Sequence, residues 1–300
     1  MASMHLPPCE PLKRQGYQFF SPHSSAAVKP CLWCKAALTR GEMCYKHQFY
    51  GIESHRCVQM TPTLRCTQRC LFCWRSFEHQ VEEEEECTPE EILRLIPALQ
   101  KKALSGYKVS PKVPPERYQE SLAPRHVALS LAGEPTLYSG LPRLIDLLNE
   151  AGYTTFLVSN GTRPEVLERC RPFQQYISLC APGEEIYRRL CRPLEDSWPA
   201  VQESLSLLGG RRSAIRITLV AGWNDRNPEQ YGRMIQDAAP AFVEVKGYMH
   251  LGYSRKRLRR ENMPEYHQVH DFAREIAACS DYEIADGNAV SRVVLLRREA

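Results

Sequence analysis

No stretch of this 300-residue sequence approaches the roughly 20 consecutive apolar residues that span a bilayer, so a membrane protein is not expected. The opening residues Met1-Ala2-Ser3-Met4-His5 lack the basic and apolar regions of a signal peptide, which argues against secretion. Charge of one sign is scarce as well. Thirty-nine Lys and Arg face 35 Asp and Glu, leaving a formal net charge of +4, too little to mark the whole chain as a polycation. No Gly-rich phosphate loop, flavin-type segment or internal repeat is visible. Cysteine, by contrast, is plentiful. There are 13, and seven of them (Cys31, Cys34, Cys44, Cys57, Cys66, Cys70 and Cys73) lie within 43 residues. An odd total without an export signal argues against a disulfide framework and for metal or redox chemistry in a reducing, cytoplasmic setting.

At 43% apolar, the chain can bury a core of ordinary size. From about residue 126 short apolar runs alternate with helix-like stretches. The runs His126-Ala132, Tyr153-Ser159, Tyr176-Cys180, Ile215-Val220, Phe242-Gly247 and Val290-Leu296 read as strands. The stretches Leu141-Ala151, Glu184-Cys191, Trp198-Leu208, Glu229-Ala238 and Glu265-Cys279 read as helices. One more helix starts at Thr88-Pro89-Glu90-Glu91, where Thr88 and Glu91 have capping-box spacing and Pro89 suits the first helical turn. Strands alternating with helices imply parallel βαβ units, either doubly wound or barrel-like. Ser110-Pro124, rich in proline, reads as a surface connection, and residues 1–60 as an irregular extension without a core of its own.

Cys66-Thr-Gln-Arg-Cys70-Leu-Phe-Cys73 is a C-x3-C-x2-C loop. Three thiolates within eight residues can each hold one iron of a cubane and leave the fourth iron open. Phe72, just before the last of them, would keep water from such a cluster, whose potential responds to exposure. A zinc ribbon that borrows a fourth cysteine is the other reading of this spacing.

The loop followed by βα repeats resembles the radical S-adenosylmethionine enzymes. That resemblance extends to Leu131-Ala132-Gly133-Glu134-Pro135, which looks like the family's Gly-Gly-Glu segment with Ala132 for the first glycine, and to the turn Ser159-Asn160-Gly161. Gly133 and Glu134, with Ser159 and Asn160, would then contact S-adenosylmethionine. Both segments follow strands, and βα barrels build their sites on that face. A narrower resemblance lies in Lys29-Pro-Cys31-Leu-Trp33, in Cys44-Tyr-Lys46 through Cys57 to Pro62, and in Ala181-Pro182-Gly183-Glu184-Glu185, Glu244-Val-Lys246-Gly-Tyr248-Met249 and Asn262-Met-Pro264. These segments are similar to the tRNA 4-demethylwyosine synthases, and the likeness runs from about Gly16 to Leu296.

The resemblance implies a partial, TIM-like βα barrel of about six units over residues 61–300, with residues 1–60 as an iron–sulfur-binding extension. It implies two 4Fe–4S clusters. Cys66, Cys70 and Cys73 would hold the one that binds S-adenosylmethionine, and Cys31, Cys44 and Cys57 a second whose open iron would take pyruvate. Lys46 matches the lysine that forms a Schiff base with that pyruvate. The implied reaction is a carbon–carbon lyase-class condensation of pyruvate with N1-methylguanosine beside the anticodon of phenylalanine tRNA, giving the tricyclic 4-demethylwyosine. A monomer supplied by an external one-electron donor is expected. Cys34 would be either a fourth ligand, which would close the second site, or a packed thiol. Cys180 stands where the family suggests an acidic residue.

Overall charge would not reveal an RNA partner, but a local run can. Arg255, Lys256, Arg257, Arg259 and Arg260 place five cations in six positions, suited to phosphate neutralisation. Tyr248 and Tyr253 nearby could stack on an unpaired base. The rival readings are a radical enzyme acting on another RNA or protein, and a zinc-bearing RNA-binding module without catalysis. The triplet Cys31, Cys44 and Cys57 together with Lys46 is what neither rival explains.

Overall fold

A computed structural model describes residues 10–77 and 85–298. Cys9 and Glu82–Glu84 fall outside them. The chain divides into two compact units, residues 1–65 with 77–156 and residues 66–76 with 157–300.

The first unit contains α1 (Glu10–Arg14), β1 (Gln18–Phe19), β2 (Ala27–Val28), α2 (Leu32–Arg40), α3 (Tyr45–Tyr50), β3 (Cys57–Thr61), α4 (Pro89–Leu104), α5 (Pro115–Ser121), β4 (His126–Leu129) and α6 (Leu141–Glu150). β1 and β2 pair antiparallel, β2 and β3 antiparallel, and β3 and β4 parallel, with Cys57 opposite His126. The capping box at Thr88 forms as its spacing requires. The Thr88 hydroxyl accepts from the Glu91 N–H, and the Glu91 carboxylate accepts from the Thr88 N–H at 2.9 Å. Ile92, Ile96, Gln100 and Leu104, one turn apart on α4, form its buried stripe.

Two expectations change here. Residues 1–60 are not irregular throughout, because α2 ends on Gly41 and α3 on Gly51, both left-handed caps. Ser110–Pro124 is not wholly a surface connection either. It contains α5, and Val113 and Tyr118 pack with Cys34, Leu38 and Leu104 in one apolar cluster.

β5 (Thr154–Ser159) runs from the first unit into the second, which continues with α7 (Pro164–Leu167), β6 (Gln174–Ser178), α8 (Glu184–Cys191), α9 (Trp198–Ser206), β7 (Ser213–Leu219), α10 (Pro228–Ala238), β8 (Phe242–Gly247), α11 (Tyr266–Ala278), β9 (Tyr282–Asn288) and β10 (Val293–Arg298). β6, β7 and β8 are parallel neighbours whose connections contain helices, as parallel strands demand. β10 then joins β8 antiparallel and β9 joins β10 antiparallel. Arg216 on β7 lies opposite Glu244 on β8, and its guanidinium reaches the fully buried carboxylate at 2.7 and 3.0 Å. The Tyr176 hydroxyl donates to the other carboxylate oxygen at 3.0 Å. Among the described residues no helix is long and apolar enough to cross a membrane.

Candidate functional site

In the first unit, three cysteines sit where backbone elements begin. Cys31 is the N-cap of α2, and its sulfur accepts from the Cys34 N–H at 3.3 Å. Cys44 is the N-cap of α3, and its own N–H donates to the Ser54 hydroxyl at 2.9 Å. Cys57 opens β3.

The three sulfurs and Lys46 lie within one another's electrostatic reach. Burial pushes the Cys57 thiol far above its ordinary value; Cys31 adds to the rise, Lys46 opposes it and Cys44 adds again. The Cys31 thiol is likewise raised by burial, opposed by the Cys34 N–H, raised by Cys44 and lowered by Lys46. The Lys46 ammonium stands 4.5 Å from the centroid of the buried Phe156 ring, on the second residue of α3. Cys34 is fully buried in the cluster of Leu38, Leu104, Val113 and Tyr118, the environment of a packed thiol, and its own thiol is raised first by that burial.

Gly133, also in the first unit, has a φ of +65°, and a Cβ there would fall 2.4 Å from the Thr63 carbonyl oxygen and 2.5 Å from that of Arg65. The next residue, Glu134, donates its N–H to the Arg65 carbonyl at 2.7 Å. Its buried carboxylate accepts from the Thr136 N–H at 3.1 Å and the Thr136 hydroxyl at 2.8 Å. This turn therefore grips the residue that leads directly into Cys66.

In the second unit, the loop Cys66–Cys73 is braced along its length. Arg69 donates its N–H to the Arg192 carbonyl at 3.0 Å and Leu71 to the Leu190 carbonyl at 2.9 Å, so the end of α8 lies alongside it. Gln68, buried, donates from Nε2 to the Tyr187 hydroxyl at 2.8 Å and accepts from the Cys70 thiol at 3.1 Å. Asn160 Nδ2 donates to the Thr67 hydroxyl at 2.9 Å and lies 3.9 Å from the Cys66 sulfur. Ser159 accepts from the Gly161 N–H at 3.0 Å, shaping the turn that presents Asn160. Burial raises the Cys73 thiol, Cys70 adds to this, and Arg75 and Arg257 oppose it. Phe72 packs against the cluster of Leu71, Leu190, Val220, Tyr248 and Leu258. Thr67, Gln68 and Tyr187 carried no sequence signal of their own; only their proximity to the cysteines marks them.

The members of the basic run and its neighbouring tyrosines are placed differently from one another. Arg255, Lys256, Arg259 and Arg260 are exposed, but Arg257 is half-buried and donates to the carbonyls of Cys70 at 3.1 Å, Cys73 at 2.8 Å and Arg75 at 2.9 Å. Its guanidinium holds the cysteine loop rather than facing solvent. Tyr248 is only 2% exposed, with its hydroxyl bonded to Ser254 and His250, so it offers no face to a base. Tyr253 remains half-exposed, with the Lys256 ammonium 5.0 Å from its ring centroid.

Both sets of thiols suit an iron–sulfur group. Burial raises the Cys31, Cys57 and Cys73 thiols, so these need a compensating cationic centre to ionise, which a metal cluster would supply. Among the described residues no group of three or more His, Cys, Asp or Glu is placed to hold a single metal ion. Cubane ligands bind different irons and need no such convergence.

Comparison with known proteins decides the family. The model of the radical SAM superfamily matches residues 60–235, and that of wyosine base formation matches residues 237–298. The S-adenosyl-L-methionine-dependent tRNA 4-demethylwyosine synthase of Pyrococcus abyssi is 42% identical over 304 residues, covering 96% of this chain and 87% of that protein. The chain belongs to the tRNA 4-demethylwyosine synthase family. Membership makes it a radical S-adenosylmethionine enzyme of wyosine biosynthesis, with tRNA as substrate and a 4Fe–4S cluster and S-adenosylmethionine as cofactors. Two solved synthase structures are similar. One is TYW1 with a lysine-pyruvate adduct bound, with a TM-score of 0.89 and 38% identity over 97% of this chain and 95% of that one. The other is an archaeal TYW1, with a TM-score of 0.80 and 33% identity over 96% and 94%.

Proposed function

We propose that this synthase condenses pyruvate with N1-methylguanosine beside the anticodon of phenylalanine tRNA, with Lys46 holding pyruvate as a Schiff base. The observation that carries the reading is the placement of Lys46 within electrostatic range of Cys31 and Cys57, two residues after Cys44. A similar structure with a lysine-pyruvate adduct supports it. Cys66, Cys70 and Cys73 are the proposed ligands of the cluster that binds S-adenosylmethionine; Cys31, Cys44 and Cys57 are those of a second cluster, which the N-terminal extension, residues 1–60, supplies to a partial βα barrel of about six units. Bound together, the first cluster and S-adenosylmethionine supply a one-electron cleavage that generates a carbon radical able to take hydrogen from a methyl group.

The chain's own residues have narrower tasks. Gly133 and Glu134 shape a turn against Arg65, and Ser159 and Asn160 a second beside Cys66; these four are the proposed contacts of S-adenosylmethionine. The nucleophile on Lys46 must be the neutral amine. Arg255, Lys256, Arg259 and Arg260 are the proposed phosphate contacts. A target base in an anticodon loop must leave its stack, as base-modifying enzymes require. The proposal includes a cytoplasmic monomer that receives its electron from an external donor.

The test is anaerobic incubation of the iron-loaded protein with N1-methylguanosine-bearing tRNA, pyruvate and S-adenosylmethionine, followed by mass spectrometry of the nucleosides. The tricyclic product is expected. Borohydride should trap labelled pyruvate on the native protein but not on Lys46→Arg, which keeps the charge and lacks a usable amine. Equal labelling of both proteins refutes the assignment of Lys46.

A further inference from the structure

We propose that Arg257 is a positioning residue for the cluster of the S-adenosylmethionine site, fixing the backbone that carries Cys70 and Cys73 and keeping a positive charge beside it. The inference rests on the reading that Cys66, Cys70 and Cys73 hold that cluster.

Three carbonyls of one short loop converge on a single guanidinium. Arg257 Nη1 donates to Cys70, and Nη2 donates to both Cys73 and Arg75, at 3.1, 2.8 and 2.9 Å. Nε of the same group donates back to the Tyr253 carbonyl at 3.3 Å, which locks the fork to its own segment. Hydrogen bonds from an ionised donor are about twice as strong as neutral ones, and a planar fork holds its partners at set angles where a lysine would not. Two further contacts join the same pieces. The Tyr253 N–H donates to the Trp74 carbonyl at 2.9 Å. Gly252 has a φ of +55°, and a Cβ there would fall 2.3 Å from that carbonyl oxygen. Leu258, next to Arg257, is buried with Leu71 from the loop. Residues 252–258 therefore form a clamp on the backbone between and after two of the three sulfurs.

The clamp has an electrical side. The guanidinium is fixed on the Cys70 and Cys73 carbonyls, so its charge stays at the backbone of two of the three proposed ligands. Cluster potential depends on nearby charge and solvent exposure, so a fixed cation here makes the cluster easier to reduce.

Arg257→Gln removes the charge and Arg257→Lys keeps it while losing the fork. Reductive titration of the iron-loaded proteins, followed by electron paramagnetic resonance, reads the cluster directly. At a fixed solution potential the reduced-to-oxidised ratio should fall at least threefold in Arg257→Gln and stay within twofold in Arg257→Lys. In both variants hydrogen exchange at the Tyr253 amide should quicken at least tenfold, with amides of β6 to β8 unchanged. A loaded Gln variant with the native ratio, or a Lys variant with native exchange at Tyr253, overturns the proposal. If the Gln variant does not fold, exchange in the Lys variant decides. Iron content of a Cys66→Ala/Cys70→Ala/Cys73→Ala protein tests the underlying reading on its own. Unchanged iron there refutes the ligand assignment and this inference with it, whereas lost iron with unaffected Arg257 variants refutes only the positioning role.

Discussion

Replacing Gly133 by alanine separates two costs that usually arrive together. Its φ of +65° costs a non-glycine residue roughly 1–2 kcal/mol. The added methyl would also meet the Thr63 and Arg65 carbonyl oxygens at 2.4 and 2.5 Å and the Leu64 carbonyl carbon at 2.8 Å, all of them backbone atoms. Forcing apart a packed backbone adds about 1–3 kcal/mol, so the total expected loss is about 2–5 kcal/mol. Gly152 is the matched control, because its φ is +82° and nothing lies within 4 Å of a Cβ there. Gly152→Ala should lose only the conformational part, about 1–2 kcal/mol. Urea unfolding of both variants, compared at equal denaturant dependence, gives the difference. The displaced segment ends at Arg65, so Gly133→Ala should also speed exchange of the Glu134 amide, which bonds to the Arg65 carbonyl. Equal destabilisation by the two substitutions would refute the steric argument.

Glu244→Gln should destabilise the second unit by about 2–4 kcal/mol in urea, because it leaves the largely buried Arg216 facing a neutral amide where a fully buried carboxylate stood. Glu244→Gln/Arg216→Met should recover part of that loss, and no recovery would argue against an uncompensated charge as the cause. His126 is held neutral. Burial lowers its pKa to about 4, and its Nε2 accepts from the Glu53 N–H. An unfolded histidine, with a pKa near 6.5, binds its proton first on acidification, so stability should be full above about pH 6.5 and decline as the pH falls towards 4. His126→Gln should flatten the urea midpoint between those values; an unchanged slope would place the pH dependence elsewhere.

What the sequence disclosed depended on whether the signal was local. The helix start at Thr88 was legible because the capping box is written in four adjacent residues, and the cysteine loop because its spacing is its chemistry. β8 was found at its own boundaries, while β6 begins two residues earlier than its apolar run, at the buried pair Gln174 and Gln175. β9 escaped notice because Glu283, Asp286, Gly287 and Asn288 give it no apolar alternation; it is held by its antiparallel partner β10. At the site, Cys31, Cys44 and Cys57 could be singled out by type, but their electrostatic contact with Lys46 depends on α2, α3 and β3 meeting. The carbonyl contacts of Arg257 have no sequence mark. Within five cations, sequence offers nothing to separate a guanidinium that faces water from one turned onto carbonyls. The burial of Tyr248 is equally invisible in sequence, since it is a property of its neighbours Leu71, Leu190, Val220 and Leu258.

The alternation of anchored and exposed residues between Arg255 and Arg260 has a thermodynamic consequence. Arg257 and Leu258 are pinned to the protein, so the four exposed cations on either side stand on a turn whose backbone is already ordered. A polyanion meeting them need immobilise only side-chain tips, and the entropy that a disordered basic tail would forfeit on association is not lost here. With these four as the proposed phosphate contacts, tRNA binding is expected to follow a logarithmic salt slope of roughly 3, from counterion release at about four phosphates, with little heat-capacity change from coupled folding.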